Sequence, residues 1–231
     1  MRTGGILVCR MDSRRLPGKT LRPVLGRPLL WYVLERCRRC PQFDGALVVA
    51  TSDRTVDDPI AQFCQEQGVS VYRGATDDVA GRVLGAARRE GWDGFYRLNG
   101  DSPFVDSDLI RQAHQAMAAD ALDLVTNVRP RSYPYGVSVE LIRTETLDRI
   151  HDQFGDENRE HVTQYLYQSL DRFRYRNLSR SGDDLSDVRL TVDTAEDFER
   201  FCRMAAGLGR PWHQVSYQDA VEFLASEQVP T

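Results

Sequence analysis

Short apolar runs rich in β-branched residues alternate with amphipathic helical stretches through the first half of the chain. That alternation restricts the fold to a largely parallel sheet with helices on its faces. The runs are Ile6 to Cys9, Ala46 to Ala50, Ser70 to Tyr72 and Phe95 to Leu98. Helices are expected between them at Pro28 to Arg39, Asp58 to Gln67 and Asp78 to Glu90, with Pro28 suited to a first helical turn. In such a sheet each strand delivers its following loop to one edge, outside the carboxyl ends of the strands, and ligands bind there.

The second half changes texture. A helix from Asp106 to Ala119 and a strand from Asp123 to Thr126 precede Asn127 to Ser138, whose two prolines, two arginines, two tyrosines and glycine read as a long functional loop. A strand Val137 to Ile142, helices Thr144 to Gln153 and Glu157 to Ser169, and a strand Arg172 to Leu178 follow. A polar loop at Ser179 to Asp187 leads to a strand Val188 to Val192, which ends in Asp193.

Composition removes several classes of function. A net charge of −4 offers no basic field for nucleic acid, so any phosphate ligand must be met by a local cluster. The apolar runs fall well short of the roughly 20 residues that cross a bilayer, and the polar start MRTGGILVCR is unlike a signal peptide, so a cytoplasmic protein is expected. Cys37 and Cys40 form a CxxC at the end of a helix rather than its start, and no second pair completes a zinc site; the motif reads as structurally neutral.

Lys19 is the only lysine among 30 Lys and Arg, and it stands in the run Arg10 to Thr20, RMDSRRLPGKT. A compact ammonium reaches where a planar guanidinium does not fit. Although GKT ends the run, a P-loop is excluded: Pro17 removes a backbone donor, and Pro23 with Gly26 stops a helix from continuing past Thr20. What remains is a phosphate-binding loop of another design. Gly18 gives close approach, Lys19 supplies a point charge, and Arg10, Arg14 or Arg15 can fork phosphate oxygens. Asp101, in the turn NGDSPF, should stand on the same sheet edge, and Asp193 ends a later strand. Two hard carboxylates beside triphosphate oxygens suit Mg²⁺, although Asp193 could instead cap the helix after it, a job for which Thr194 competes.

The runs RMDSRRLPGK, GDSPFVD, YPYGVSVE, NREHVTQYLY and LTVDTAEDFE together resemble the cytidylyltransferase family, in particular the spore-coat polysaccharide type beside the 3-deoxy-manno-octulosonate and acylneuraminate enzymes. The resemblance runs from about Gly5 to Phe201. It implies a three-layer α/β nucleotide-diphospho-sugar transferase fold, Rossmann-like, with a mostly parallel central sheet. It further implies a single domain over residues 1–231 in which residues 127–187 form an inserted acceptor-binding and dimerisation segment. CTP, Mg²⁺, a sugar or sugar-acid acceptor and a homodimer come with it. By motif, Arg10, Ser13, Arg15, Gly18 and Lys19 would hold the nucleotide phosphates, Arg10, Lys19 and Asp101 would serve catalysis, and Asp101 and Asp193 would bind the metal. Asp78 and Arg82 would lie near the base or the incoming sugar, and Glu140, Asn158, Arg159 and His161 would line the acceptor pocket.

Three residues depart from the family pattern. Asp12 puts a carboxylate inside the phosphate loop, Arg14 stands beside it where it can balance that charge, and Val8-Cys9 replaces a more usual Gln-Ala. The implied reaction is in-line attack of an acceptor hydroxyl on the α-phosphorus of CTP, with no His or Glu standing out as a general base. Two other readings stay open. One is a glycosyltransferase using Asp106-Ser107-Asp108 as a DxD motif, although those carboxylates should cap the helix they open. The other is a non-catalytic nucleotide-binding module.

Overall fold

The computed structural model describes residues 1–43 and 46–227. Its strands are β1 (Thr3–Val8), β2 (Pro23–Val24), β3 (Arg27–Pro28), β4 (Leu47–Ser52), β5 (Ser70–Gly74), β6 (Gly94–Asn99), β7 (Leu124–Thr126), β8 (Glu140–Arg143) and β9 (Tyr175–Asn177). Helices are α1 (Leu29–Cys37), α2 (Asp58–Glu66), α3 (Val79–Glu90), α4 (Ser107–Ala119), α5 (Thr144–His151), α6 (Asp156–Glu160), α7 (Gln164–Gln168), α8 (Ala195–Gly207) and α9 (Tyr217–Glu227). Seven strands form one sheet in the order β5-β4-β1-β6-β8-β7-β9, and β2 with β3 makes a separate small hairpin. The pairs β4–β5, β1–β4, β1–β6 and β7–β9 are parallel, while β8 runs antiparallel to both its neighbours.

Period-two alternation along the strands builds the three layers. Ile6, Val48, Ala50, Phe95, Leu124 and Ile142 pack under α3, α5 and α7. The intervening residues Leu7, Val49, Tyr96, Leu98, Val125 and Leu141 pack under α1, α4 and α8. Both faces of the central strands are therefore dry, which leaves the carboxyl edge as the place for polar function.

Helix starts follow capping chemistry. Asp78 caps α3 by accepting from the Gly81 amide at 2.8 Å, and Asp106 caps α4 by accepting from Leu109 at 2.9 Å. Asp106 and Asp108 are thus accounted for by their helix, Asp108 pairing with Arg111 one turn on. At α8 the cap is Thr194, locked by Asp197 in a reciprocal capping box, so Asp193 is free of that task.

Three expected elements differ. The stretch Val188 to Val192 is extended but joins no strand of the sheet. Its backbone pairs instead with the loop residue Tyr135 (Tyr135 N to Val188 O 2.8 Å, Leu190 N to Tyr135 O 2.7 Å), and Val192 N donates to Asp101 O at 2.9 Å. Close contact here requires Gly136, which has φ of 108° and whose added Cβ would lie 2.8 Å from the Thr191 nitrogen. The strand expected from Val137 starts only at Glu140, because the Asn127 side-chain amide binds both Val137 O and Val139 N and stands in for a neighbouring strand. The helix expected over Glu157 to Ser169 breaks into α6 and α7 around His161–Thr163, where β-branched Val162 turns inward and is fully buried. Residues 127–187 supply β8 and β9 to the central sheet, so this segment is woven into the main layer.

Candidate active site

The loop after β1 is drawn tight by Gly18, whose amide donates to Met11 O at 2.8 Å and whose φ of 73° suits glycine. A short turn, Lys19–Leu21, follows and buries the lysine, which is only 8% exposed. Its ammonium lies at the carboxyl edge of the sheet. There it donates to Asp101 Oδ2 at 2.7 Å, to Val192 O at 2.9 Å and to Asp193 Oδ1 at 3.0 Å. Arg15 and Arg189 also reach Asp193, at 2.8 and 3.3 Å. Three residues from distant parts of the chain thus meet around one buried positive charge.

Two cavities open on either side of this cluster. One, of about 440 Å³, is lined by Arg10, Ser13, Arg15, Lys19, Arg82 and His161, among others. Arg82 is 2% exposed; its Nη1 donates to the carbonyls of Ala75 and Thr76, and its buried Nε–H has no partner among the described residues. The other, of about 660 Å³, is walled by Glu140, Tyr167 and the arginine-bearing loop after β7. Arg15, Arg97, Asp101 and Asp193 line both. A reactant in each cavity would meet at the Lys19 cluster.

The donor set fits a hard divalent cation. Asp101 and Asp193 supply hard carboxylate oxygens of the kind a divalent cation takes, each of them bound here by the Lys19 ammonium, at 2.7 and 3.0 Å. Among the described residues no group of three or more metal-ligating side chains exists, so a metal here would draw its remaining ligands from substrate and water.

A sequence model of the cytidylyltransferases matches residues 5–208. The chain belongs to the cytidylyltransferase family. It is 32% identical over 203 residues to the spore coat polysaccharide biosynthesis protein SpsF of Bacillus subtilis, covering 84% of this chain and 82% of that one. A cytidylyltransferase from Leptospira borgpetersenii superposes with a TM-score of 0.92 at 28% identity, over 98% of this chain and 95% of that one. The same fold recurs in CMP:2-keto-3-deoxy-manno-octonic acid synthetase, solved with CTP, at a TM-score of 0.66 and 21% identity over 90% and 99% of the two chains.

Some expected site residues stand apart from the cavities. Asp78, expected near the base or the incoming sugar, and Arg159, expected in the acceptor pocket, bind each other at 2.9 Å, and His151 Nε2 reaches both Asp78 oxygens at 3.1 Å. The cluster ties α5 and α6 to the start of α3. Burial raises the Asp78 pKa, but the Gly81 amide, His151 and Arg159 outweigh it and hold the carboxyl below its ordinary value. Asn158 lines neither cavity, and its buried Oδ1 lacks a partner among the described residues. Asp12 is balanced by Arg54 at 2.7 Å and Arg10 at 3.2 Å, not by Arg14. Arg54 follows β4 and was the nearer cation because the β1 and β4 loops leave the same edge of the sheet. Burial pushes the Cys9 thiol up, so that residue is an inert wall of the smaller cavity.

Sequence reasoning passed over Arg97, which lines both cavities and holds Glu140 Oε2 at 2.6 Å. A cation inside the apolar run FYRLN was the available signal. Glu140 is buried, which raises its pKa, yet Arg97 and then the Tyr167 hydroxyl bring it below the usual value. Tyr167 donates to Glu140 Oε1, and burial together with that carboxylate drives the phenol far above its ordinary range.

Proposed function

We propose that this protein is a cytoplasmic cytidylyltransferase that transfers CMP from CTP to a hydroxyl of a sugar or sugar-acid acceptor, releasing pyrophosphate, in surface polysaccharide or glycan precursor synthesis. The observation that carries this reading is the meeting of Lys19, Asp101 and Asp193 at the boundary of two cavities. Family membership supports CTP as the donor.

In this reading the smaller cavity takes the nucleotide. Arg10, Ser13, Arg15 and Lys19 bind the triphosphate, the Gly18 turn holds the loop in place, and Lys19 with an arginine stabilises the departing pyrophosphate. Arg82 lines this cavity, and Asp78 caps the helix that carries it. The larger cavity takes the acceptor, oriented by Glu140, and His161 stands where the two sides meet, beside Arg97 and Tyr167 as well as the smaller cavity. Asn158 and Arg159 lie outside both cavities and act on the acceptor side only through their neighbours. Mg²⁺, held by Asp101 and Asp193, would supply charge neutralisation at the phosphates and polarise the reacting oxygens. The chain's own contribution is positioning and electrostatics, which phosphoryl chemistry mainly requires. The homodimer implied by resemblance belongs to this reading, and light scattering on the purified chain tests it.

The deciding experiment offers the four nucleoside triphosphates with Mg²⁺ and a panel of keto-deoxy acids and aminosugars, and measures pyrophosphate. Acceptor-dependent release from CTP supports the reading. Tight CTP binding without release on any acceptor would point to a non-catalytic module, and consumption of nucleotide-sugars supplied in a parallel assay, with no pyrophosphate from any triphosphate, to a glycosyltransferase.

A further inference from the structure

Every carboxylate in the larger cavity is already held by a cation of the chain. Asp101 is bound by Lys19, Asp193 by Lys19, Arg15 and Arg189, and Glu140 by Arg97. Two more guanidiniums line the same cavity, and among the described residues neither pairs with a carboxylate. Arg129 is exposed and its guanidinium carbon sits 5.0 Å from the Tyr167 ring centre. Arg131 is half-buried, 4.9 Å from the Tyr135 ring centre, and its Nη1 reaches only neutral oxygens, Ser138 Oγ at 3.2 Å and Pro134 O at 3.4 Å. Burial lowers the Arg131 pKa from the ordinary arginine value, as expected of a cation without a full counter-charge.

Stacking on a ring occupies the face of a guanidinium and leaves its N–H edge for ligands. Two uncompensated cations call for two negative charges on one ligand, and two forks call for more than two oxygens. A single carboxylate offers one charge and two oxygens. A phosphoryl group offers nearly two charges and three strong acceptor oxygens, and a phosphonyl group has the same shape.

We propose that the acceptor carries a tetrahedral dianion, a phosphoryl or phosphonyl group, seated by Arg129 and Arg131. The inference rests on the larger cavity being the acceptor side of the reading above. It narrows the acceptor from any sugar or sugar acid to one bearing this group.

The test titrates methyl phosphate, methylphosphonate and acetate into the full chain saturated with CTP and Mg²⁺, at about pH 8.5, above the second phosphate pKa. CTP binding is read first. Its absence counts against the nucleotidyl reading, and the same anions titrated into nucleotide-free protein then still report on the arginine pair. At least one tetrahedral dianion should bind about tenfold tighter than acetate, the scale of one charge-assisted hydrogen bond. The tighter of the two dianions identifies the source. Arg131→Gln and Arg129→Gln should each weaken it by about tenfold, with the melting temperature as the check on folding. Arg129 is exposed, so Arg129→Gln reads the site even if Arg131→Gln does not fold. Acetate binding as tightly as both dianions, or dianion affinity indifferent to Arg129→Gln, overturns the proposal.

Discussion

Lys19 and Asp101 meet at 2.7 Å across 82 positions of sequence, and the same ammonium reaches Asp193 on its other side. A buried cation between two carboxylates holds together the β1 loop, the β6 turn and the segment before α8. Replacing it with an isosteric apolar chain leaves two carboxylates facing each other. Lys19→Met is therefore expected to destabilise the protein by about 2 kcal/mol. This is less than the roughly 3–5 kcal/mol for a fully buried pair, because Arg15 and Arg189 still hold Asp193. Urea unfolding measures it, and the double variant Lys19→Met/Asp101→Asn should regain part of the loss.

Turnover should respond to Asp101 more than stability does. Its carboxylate is partly open to water, so Asp101→Asn keeps the shape while it removes the charge and turns one acceptor oxygen into a donor. On the proposed reading, pyrophosphate release falls by about 10² or more, the scale of removing one preorganised electrostatic partner. Wild-type turnover in that variant would remove Asp101 from the metal role.

The parallel sheet was legible because its signal is repeated: each of Ile6–Cys9, Ala46–Ala50 and Phe95–Leu98 is a mostly apolar run, and each overlaps an observed strand. Asp101 was legible for a related reason, since it follows such a run and so falls on the carboxyl edge of the sheet. Lys19 is brought there by the Gly18 turn, and Asp193 by the pairing of residues 188–192 with Tyr135 and Asp101. The segment 188–192 misled because β-branched composition is the same in a strand and in an extended stretch whose partner is a loop. Asp78 with Arg159, and Asp12 with Arg54, are pairings between residues far apart in sequence, and no local periodicity encodes which opposite charge folding brings near.

The buried pair Arg97–Glu140 gives a sharper stability test. Arg97→Met leaves Glu140 charged and buried with only hydroxyl partners, and is expected to cost about 3–5 kcal/mol. Arg97→Met/Glu140→Gln should recover most of it, because the uncompensated charge is gone. Thermal melts of the two single variants and the double variant close the cycle. Equal losses in the single and double variants would show that packing, not charge, dominates there.

Asp78 predicts a pH dependence. Its folded pKa lies below the unfolded value, so its ion pairs add stability that is fully present above the unfolded value of about 4 and is lost as pH falls through the folded one. Asp78→Asn should lower stability at neutral pH by about 1 kcal/mol, the upper end for a partly exposed pair. The gap between wild type and variant should then close on acidification below about pH 4. Melting temperatures at neutral and acid pH check the sign, and a gap that widens in acid would contradict it.

Asp12 carries a negative charge into a loop proposed to bind triphosphate, and Arg54 is the cation that answers it at 2.7 Å. Removing Arg54 leaves Asp12 with Arg10 alone at 3.2 Å, and it also draws Arg10 away from phosphate duty. Arg54 is about half exposed, so the effect is modest, within the range of surface ion pairs at under about 1 kcal/mol. Arg54→Gln should raise the Kd for CTP about three- to fivefold, less than the tenfold that 1.4 kcal/mol brings. Asp12→Asn in the same background should restore affinity, since the charge Arg54 neutralises is then absent. Calorimetric titration of CTP into the three proteins measures both steps. Failure of Asp12→Asn to restore binding would mean that Arg54 acts on the nucleotide directly rather than through Asp12.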